Sequence, residues 1–203
     1  MAVIRGASSG IGMAFARKLA AHHDLVLIAG RKDRLEVLAA RLVSEFGTSV
    51  TVHPADLTRG KDLEIVARGI AAEDDLALLV NNAGFGTNAL FWNAEMEGRE
   101  QMHRLHVMAT VRLIHIALKK MVQRNAGGII NVASVSAFVR TAENTSYSAT
   151  KSWITSFTEG LCLELNSVQS AVKVQALCPG FTHSDFTTIC TLIEGDSRDL
   201  HSG

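Results

Sequence analysis

Six short, almost wholly apolar runs alternate along this chain with longer segments whose apolar residues recur every three or four positions, and that alternation limits the fold more than any other feature. The runs are Ala2 to Arg5, Leu25 to Ala29, Ser49 to His53, Leu76 to Asn81, Ile129 to Ala133 and Val172 to Cys178. Helical spacing fills the intervals. Gly10 to His22 carries Ile11, Ala14, Phe15 and Leu19 on one stripe, Arg34 to Phe46 carries Leu35, Leu38, Ala39 and Leu42, and Leu57 to Ala72 carries Leu63, Val66, Ala67 and Ile70. Glu97 to Asn125 reads as one long helix on Met102, Leu105, Ala109, Leu113, Ile116 and Met121, and Ser146 to Ser167 reads as the last. Strands apolar throughout need cover on both faces, and strands that alternate with helices are joined in parallel. The expected fold is therefore α/β, a single doubly wound parallel sheet with helices on both faces. At 203 residues and 47% hydrophobic the chain suits one domain over 1–203, with 185–203 expected as a partly ordered tail.

The first run passes through Gly6-Ala7-Ser8-Ser9-Gly10-Ile11-Gly12 directly into a helix. Backbone N–H groups at a helix N-terminus attract phosphate, and glycines let a pyrophosphate approach closely, so this turn is a candidate dinucleotide site of the Rossmann type. Its candidate contacts are Gly6, Ser8, Ser9, Gly10, Ile11 and Gly12. Ribose selectivity is read at the end of the second strand, where a carboxylate would hold the 2′-hydroxyl of NAD. Here the chain has Gly30-Arg31-Lys32, and the planar fork of Arg31 suits a 2′-phosphate, which favours NADP with NAD still possible. The same two cations also suit the ordinary solvated start of the next helix.

The stretch from Asn131 to Lys151 supplies a hydroxyl at Ser134, a phenol at Tyr147 and an ammonium at Lys151. Tyr147 and Lys151 stand four apart, on one face of a helix. A phenol titrates near ~10, and a working value near ~7 requires roughly 4 kcal/mol of preference for the phenolate, which a neighbouring cation supplies in part. A half-buried Tyr beside a solvated Lys is the plainer alternative.

With the glycine turn, Asp56-Leu57 after the third strand, Asn81-Asn82-Ala83-Gly84 after the fourth, and Ser134, Tyr147 and Lys151, the chain resembles the short-chain dehydrogenase/reductase family from Val3 to about Phe186. The resemblance implies an NAD(P)-dependent oxidoreductase acting on a carbonyl or secondary alcohol. Tyr147 would be its acid/base, Lys151 would lower the Tyr pKa and bind the nicotinamide ribose, and Ser134, 13 residues before Tyr147, would orient the substrate oxygen, with Ser136 as competitor. Asp56 and Leu57 would meet the adenine, Asn81, Asn82, Ala83 and Gly84 would pass under the cofactor, and Pro179, Gly180 and Thr182 or Ser184 would meet the nicotinamide amide.

Three positions depart from that pattern. Arg5 stands where the family usually has Thr, and an arginine ending a central strand is expected either to find an anion or to leave the sheet, with a weakened cofactor site as one result. His106 stands where the family has an Asn that serves a proton path; a histidine can itself relay protons, and is a candidate on that ground, or it can be merely structural. The segment from Asp185 to Gly203 shows no further strand, so the family's seventh strand is expected to be missing and the chain shortened. These departures motivate a second reading, a non-catalytic NADP-binding or interaction protein of the same fold.

Twenty basic residues balance twenty acidic ones, which argues against nucleic acid or an anionic membrane as partner. Cys162, Cys178 and Cys190 have no metal-type spacing, and His103 with His106 lacks a third ligand, so no metal is expected. With no signal-type N-terminus and no long apolar run, the expected setting is cytoplasmic. Family habit, and surplus apolar residues such as Val107, Val111, Trp153 and Phe157, suggest a homo-oligomer.

Overall fold

A computed structural model of the chain describes residues 1–180. Six strands, β1 (Ala2–Arg5), β2 (Leu25–Ala29), β3 (Val50–Pro54), β4 (Leu78–Asn81), β5 (Gly128–Val132) and β6 (Lys173–Leu177), form one sheet in the order β3-β2-β1-β4-β5-β6, and every pairing is parallel. The doubly wound α/β architecture expected from the alternation is the one observed.

The helices are α1 (Gly10–Ala20), α2 (Lys32–Phe46), α3 (Gly60–Ala72), α4 (Met96–His103), α5 (Ala109–Gln123) and α6 (Thr145–Ser167). Side chains alternate across β1. Val3 joins a core with Val66, Ile70, Leu113, Ala117 and Leu165 of α3, α5 and α6, whereas Ala2 and Ile4 join Ala16, Leu35 and Leu42 of α1 and α2 on the other face. Each sheet face is thus sealed by its own helices, as strands apolar on both sides require.

Two helices differ from the periodic expectation. In α1 the buried face is Gly12, Ala16 and Ala20, with Phe15 and Leu19 only partly covered and Ala14 exposed. Small residues win that face because the helix lies close on the glycine turn. The expected long helix over 97–125 is instead α4 and α5 joined by a π-helical segment, Arg104–Met108. Its extra residue per turn leaves the apolar period nearly intact, so the pattern does not reveal it.

A seventh strand, Thr182, Ser184, Cys190 and the 185–203 tail fall outside the described residues. Among the described residues no helix is long and apolar enough to cross a membrane.

Candidate active site

At the carboxyl edge of β1 the chain turns at Gly6, whose φ of 75° is left-handed. A Cβ there would lie 2.7 Å from the Ala83 backbone, and one on Gly12 would lie 2.1 Å from the Gly6 carbonyl oxygen. The turn, the start of α1 and the Asn82-Ala83 segment therefore interlock backbone to backbone. Asn82 Nδ2 donates to the Gly6 oxygen at 3.0 Å and fixes that contact. The first turn of α1 leaves N–H groups without internal acceptors, and no acidic residue competes there, so the positive end of the helix faces the turn. Gly10 and Ile11 open this helix and Ser9 precedes it.

Arg31 immediately precedes α2 and reaches back across the turn: Nη2 donates to Ser9 Oγ at 2.8 Å and to Ser8 Oγ at 3.1 Å. Its guanidinium thus stands at the rim of the glycine turn. Asp56 follows β3 beside this rim, because the Ala55 N–H bonds the Ala29 oxygen of β2. Asp56 Oδ1 accepts from Thr58 N and Oγ1 at 3.0 and 2.8 Å, a turn that leads into α3, and Leu57 is buried next to it.

Arg5, Asn81 and Asn131 share one register across β1, β4 and β5. They form a buried polar ladder. Asn81 Nδ2 donates to Asn131 Oδ1 at 2.8 Å, and Asn131 Nδ2 donates to Thr158 Oγ1 of α6 at 2.9 Å. Arg5 begins the ladder, and it contradicts the expectation of an anion or an escape: it is 1% exposed and bonded to uncharged groups. Nη2 donates to the Leu105 oxygen at 2.7 Å and Nη1 to Thr110 Oγ1 at 3.0 Å. The π-helical segment turns the Leu105 carbonyl sideways, and that supplies the acceptor. Burial holds the Arg5 pKa down to about 10.

His106 lies in the same segment, also 1% exposed. Its Nδ1 is 2.9 Å from Thr150 Oγ1, and its Nε2 accepts from the Phe85 N–H at 3.2 Å. Since the Thr150 hydroxyl donates onward to the backbone carbonyl oxygen of Tyr147 at 2.8 Å, it must accept from the histidine, which sets the neutral Nδ1–H form. Desolvation, followed by the charges of Lys151, Arg5 and His103, pushes the His106 pKa well below its ordinary value. Both nitrogens are hydrogen-bonded, so His106 braces Gly84-Phe85 against α6. A Cβ on Gly84 would lie 2.7 Å from Nε2, so the glycine is what admits the ring.

Tyr147 and Lys151 occupy successive turns of α6, 9% and 4% exposed, with Nζ 5.6 Å from the phenol ring centroid. Nζ donates to the Val132 oxygen at 2.9 Å. Burial first, then the Arg5 charge, lowers the Lys151 pKa to about 7. Ser134 follows β5, and its Oγ accepts the backbone N–H of Ser136 at 3.1 Å. The Val135 N–H donates to the Pro179 oxygen at 3.0 Å, which brings Pro179-Gly180 alongside. The structure thus gathers Ser134, Tyr147, Lys151, His106, the 81–84 segment and Pro179 at one sheet edge.

Sequence reasoning passed over two residues here, Thr150 and Arg99. Arg99 is buried against Ser146, and the available signal was its place three residues before Met102 on the helix's buried stripe. Among the described residues no group of three or more His, Cys, Asp or Glu could hold a metal.

A parallel sheet in this order, a glycine turn on a helix N-terminus and a Tyr–Lys pair at the same edge define a dinucleotide-binding α/β protein. The short chain dehydrogenase family model matches residues 1–191. The chain is 32% identical over 189 residues to an uncharacterized oxidoreductase of Staphylococcus aureus, across 92% of this chain and 80% of that protein. It is 37% identical to a short-chain dehydrogenase from Sphingobium yanoikuyae solved in complex with NADPH, with a TM-score of 0.90 over 94% of this chain and 74% of that one. A bulky-bulky ketone specific alcohol dehydrogenase from Comamonas testosteroni is 36% identical, with a TM-score of 0.86 over 90% and 73%. The chain belongs to the short-chain dehydrogenase/reductase family and is an NAD(P)-dependent oxidoreductase.

Proposed function

We propose that the chain, as a single dinucleotide-binding domain, moves hydride between NADP and a carbonyl or secondary alcohol, with Tyr147 as the acid/base. The observation that carries this reading is the buried Tyr147 phenol with the Lys151 ammonium beside it, at the edge where the glycine turn opens. The close backbone packing at Gly6 and Gly12 fits a pyrophosphate, and Arg31 on the Ser8 and Ser9 hydroxyls fits an adenosine 2′-phosphate. The NADPH held by the Sphingobium relative supports the choice of NADP.

The nicotinamide supplies or accepts the hydride when bound. Gly6 to Gly12 and Arg31 would hold the phosphates, Asp56 and Leu57 would hold the adenine, and Asn81, Asn82, Ala83 and Gly84 would lie under the cofactor. Pro179 and Gly180 would meet the carboxamide, and Thr182, the third candidate, lies outside the described residues. Ser134 Oγ steadies the substrate oxygen, Tyr147 transfers the proton to or from it, and Lys151 favours the phenolate by its charge. His106 and Thr150 hold the Tyr147 turn in place. A cytoplasmic homo-oligomer completes the reading, supported by the partly exposed Val107, Val111, Trp153 and Phe157.

Incubation with NADPH and a panel of ketones tests it: cofactor oxidation is expected, and Tyr147→Phe should abolish turnover while leaving NADPH affinity nearly unchanged. Tight NADPH binding without turnover on any ketone would refute the catalytic reading.

A further inference from the structure

Arg99 is, with Arg5, one of two guanidiniums buried among the described residues, and at 1% exposure it has no carboxylate among its contacts there. Nη1 donates to Ser146 Oγ at 2.9 Å, Nη2 donates to the Ala89 oxygen at 3.0 Å and reaches the Leu90 oxygen at 3.5 Å, and the guanidinium carbon lies 4.9 Å from the Phe91 ring centroid. Ser146 directly precedes Tyr147, while residues 89–91 belong to the connection between β4 and α4. One rigid fork therefore ties that connection to the first turn of the catalytic helix, bonding in two directions from two separate nitrogens, a span that a lysine's single nitrogen lacks and an apolar side chain cannot supply. A second tie runs parallel to it, from the Ala89 N–H to the Glu143 oxygen at 3.3 Å. Glu143 has a φ of 68°, a left-handed value that a non-glycine residue adopts at a cost. Burying a cation among neutral groups is costly too. Two unfavourable features converge on one small join, beside the acid/base.

Past the clamp the connection continues into a short turn, Phe91–Asn93, where Phe91 is 51% and Trp92 78% exposed. The segment leaving β5 after Ser134 likewise exposes Phe138 and Val139. Because β4 and β5 are neighbours, both apolar segments rise from the sheet edge that carries Tyr147.

We propose that Arg99 is a positioning and specificity-determining residue: it clamps residues 89–92 to Ser146, holding their apolar side chains beside Tyr147 so that carbonyl compounds with a bulky apolar substituent are preferred to small ones. The specificity rests on the acid/base reading of Tyr147, whereas the clamp does not.

The test compares wild type, Arg99→Met, Ser146→Ala and the double variant, measuring kcat/KM for an aryl ketone and for butanone, and NADPH affinity. The wild type should prefer the aryl ketone. Arg99→Met should lose at least about tenfold more kcat/KM on the aryl ketone than on butanone, mostly through KM, and Ser146→Ala should lose in the same sense. The double variant should be no worse than Arg99→Met, because both changes break one join. Equal losses on the two ketones, additive losses, or no loss would overturn the proposal. Should the wild type turn over neither ketone, the acid/base reading fails and the specificity falls with it. The clamp is then judged by time-resolved anisotropy of Trp92 in a Trp153→Phe background. Faster depolarisation in both Arg99→Met and Ser146→Ala upholds it, and unchanged depolarisation sinks it.

Discussion

Lys151 sits between α6 and β5 with its ammonium on the Val132 carbonyl, in a site that holds another cation and no carboxylate among the groups that shift it. Arg5 on β1, His106 on the π-helical segment and Cys178 after β6 are the titratable groups that act on it or respond to it, and Arg5 opposes its charge. Its pKa falls from 10.5 to about 7. Between those values the unfolded chain binds a proton at Lys151 that the folded chain releases, so stability rises with pH across the window; below about 7 the penalty of the buried charge is fully present. For one group with these two values the gain from pH 7 to pH 9 is about 2 kcal/mol. In a domain of this size that raises Tm by about 4–8 °C. The measurement is a thermal-denaturation series on the cofactor-free protein at constant ionic strength, with Lys151→Met as control. Methionine keeps the unbranched stem and removes the titration, so its Tm should not climb over the same range. A flat or falling wild-type profile, or an equal climb in Lys151→Met, would refute the reasoning.

Gly12→Ala places a methyl 2.1 Å from the Gly6 oxygen and 2.6 Å from Asn82 Nδ2; the turn must open, with an expected loss of about 1–3 kcal/mol of stability and of most NADPH binding, read by thermal shift with and without cofactor. Arg31→Met removes the fork over Ser8 and Ser9 and should weaken NADPH far more than NADH; equal weakening in titrations with both cofactors would discard the 2′-phosphate assignment. Asn131→Leu leaves Asn81 Nδ2 without its acceptor in a dry site and should cost about 1–3 kcal/mol in urea denaturation. His106 should stay neutral and Nδ1-protonated from pH 8 down to 6 in ¹⁵N spectra, because a proton on Nε2 would face the Phe85 N–H; an ordinary titration there would contradict the bonding described.

What the chain determined by itself is what periodicity and spacing can carry. The six strands were legible as short apolar runs, although exposed Thr51 in β3 and Lys173 and Gln175 in β6 interrupt two of them, and β1 and β2 have the bounds the runs predicted. Tyr147 and Lys151 were legible as a pair because four residues of helix bring them together whatever surrounds them. The glycine turn was legible because φ and close approach demand glycine locally. Only the tertiary structure decided the fate of the buried polar groups. Whether Arg5 finds a partner depends on β4 lying beside β1 and on a π-helical carbonyl turned toward it, and neither is encoded near position 5. The sequence left His106 either a proton carrier or a structural residue, and its partners, Phe85 from one connection and Thr150 from another helix, come from distant parts of the chain. Arg99 carried no functional signal in the sequence, and only the closure of residues 89–91 over it makes it a buried contact. A backbone's shape is largely a local matter of sterics and apolar spacing, but a buried charge is defined by its neighbours, and those come from distant parts of the chain.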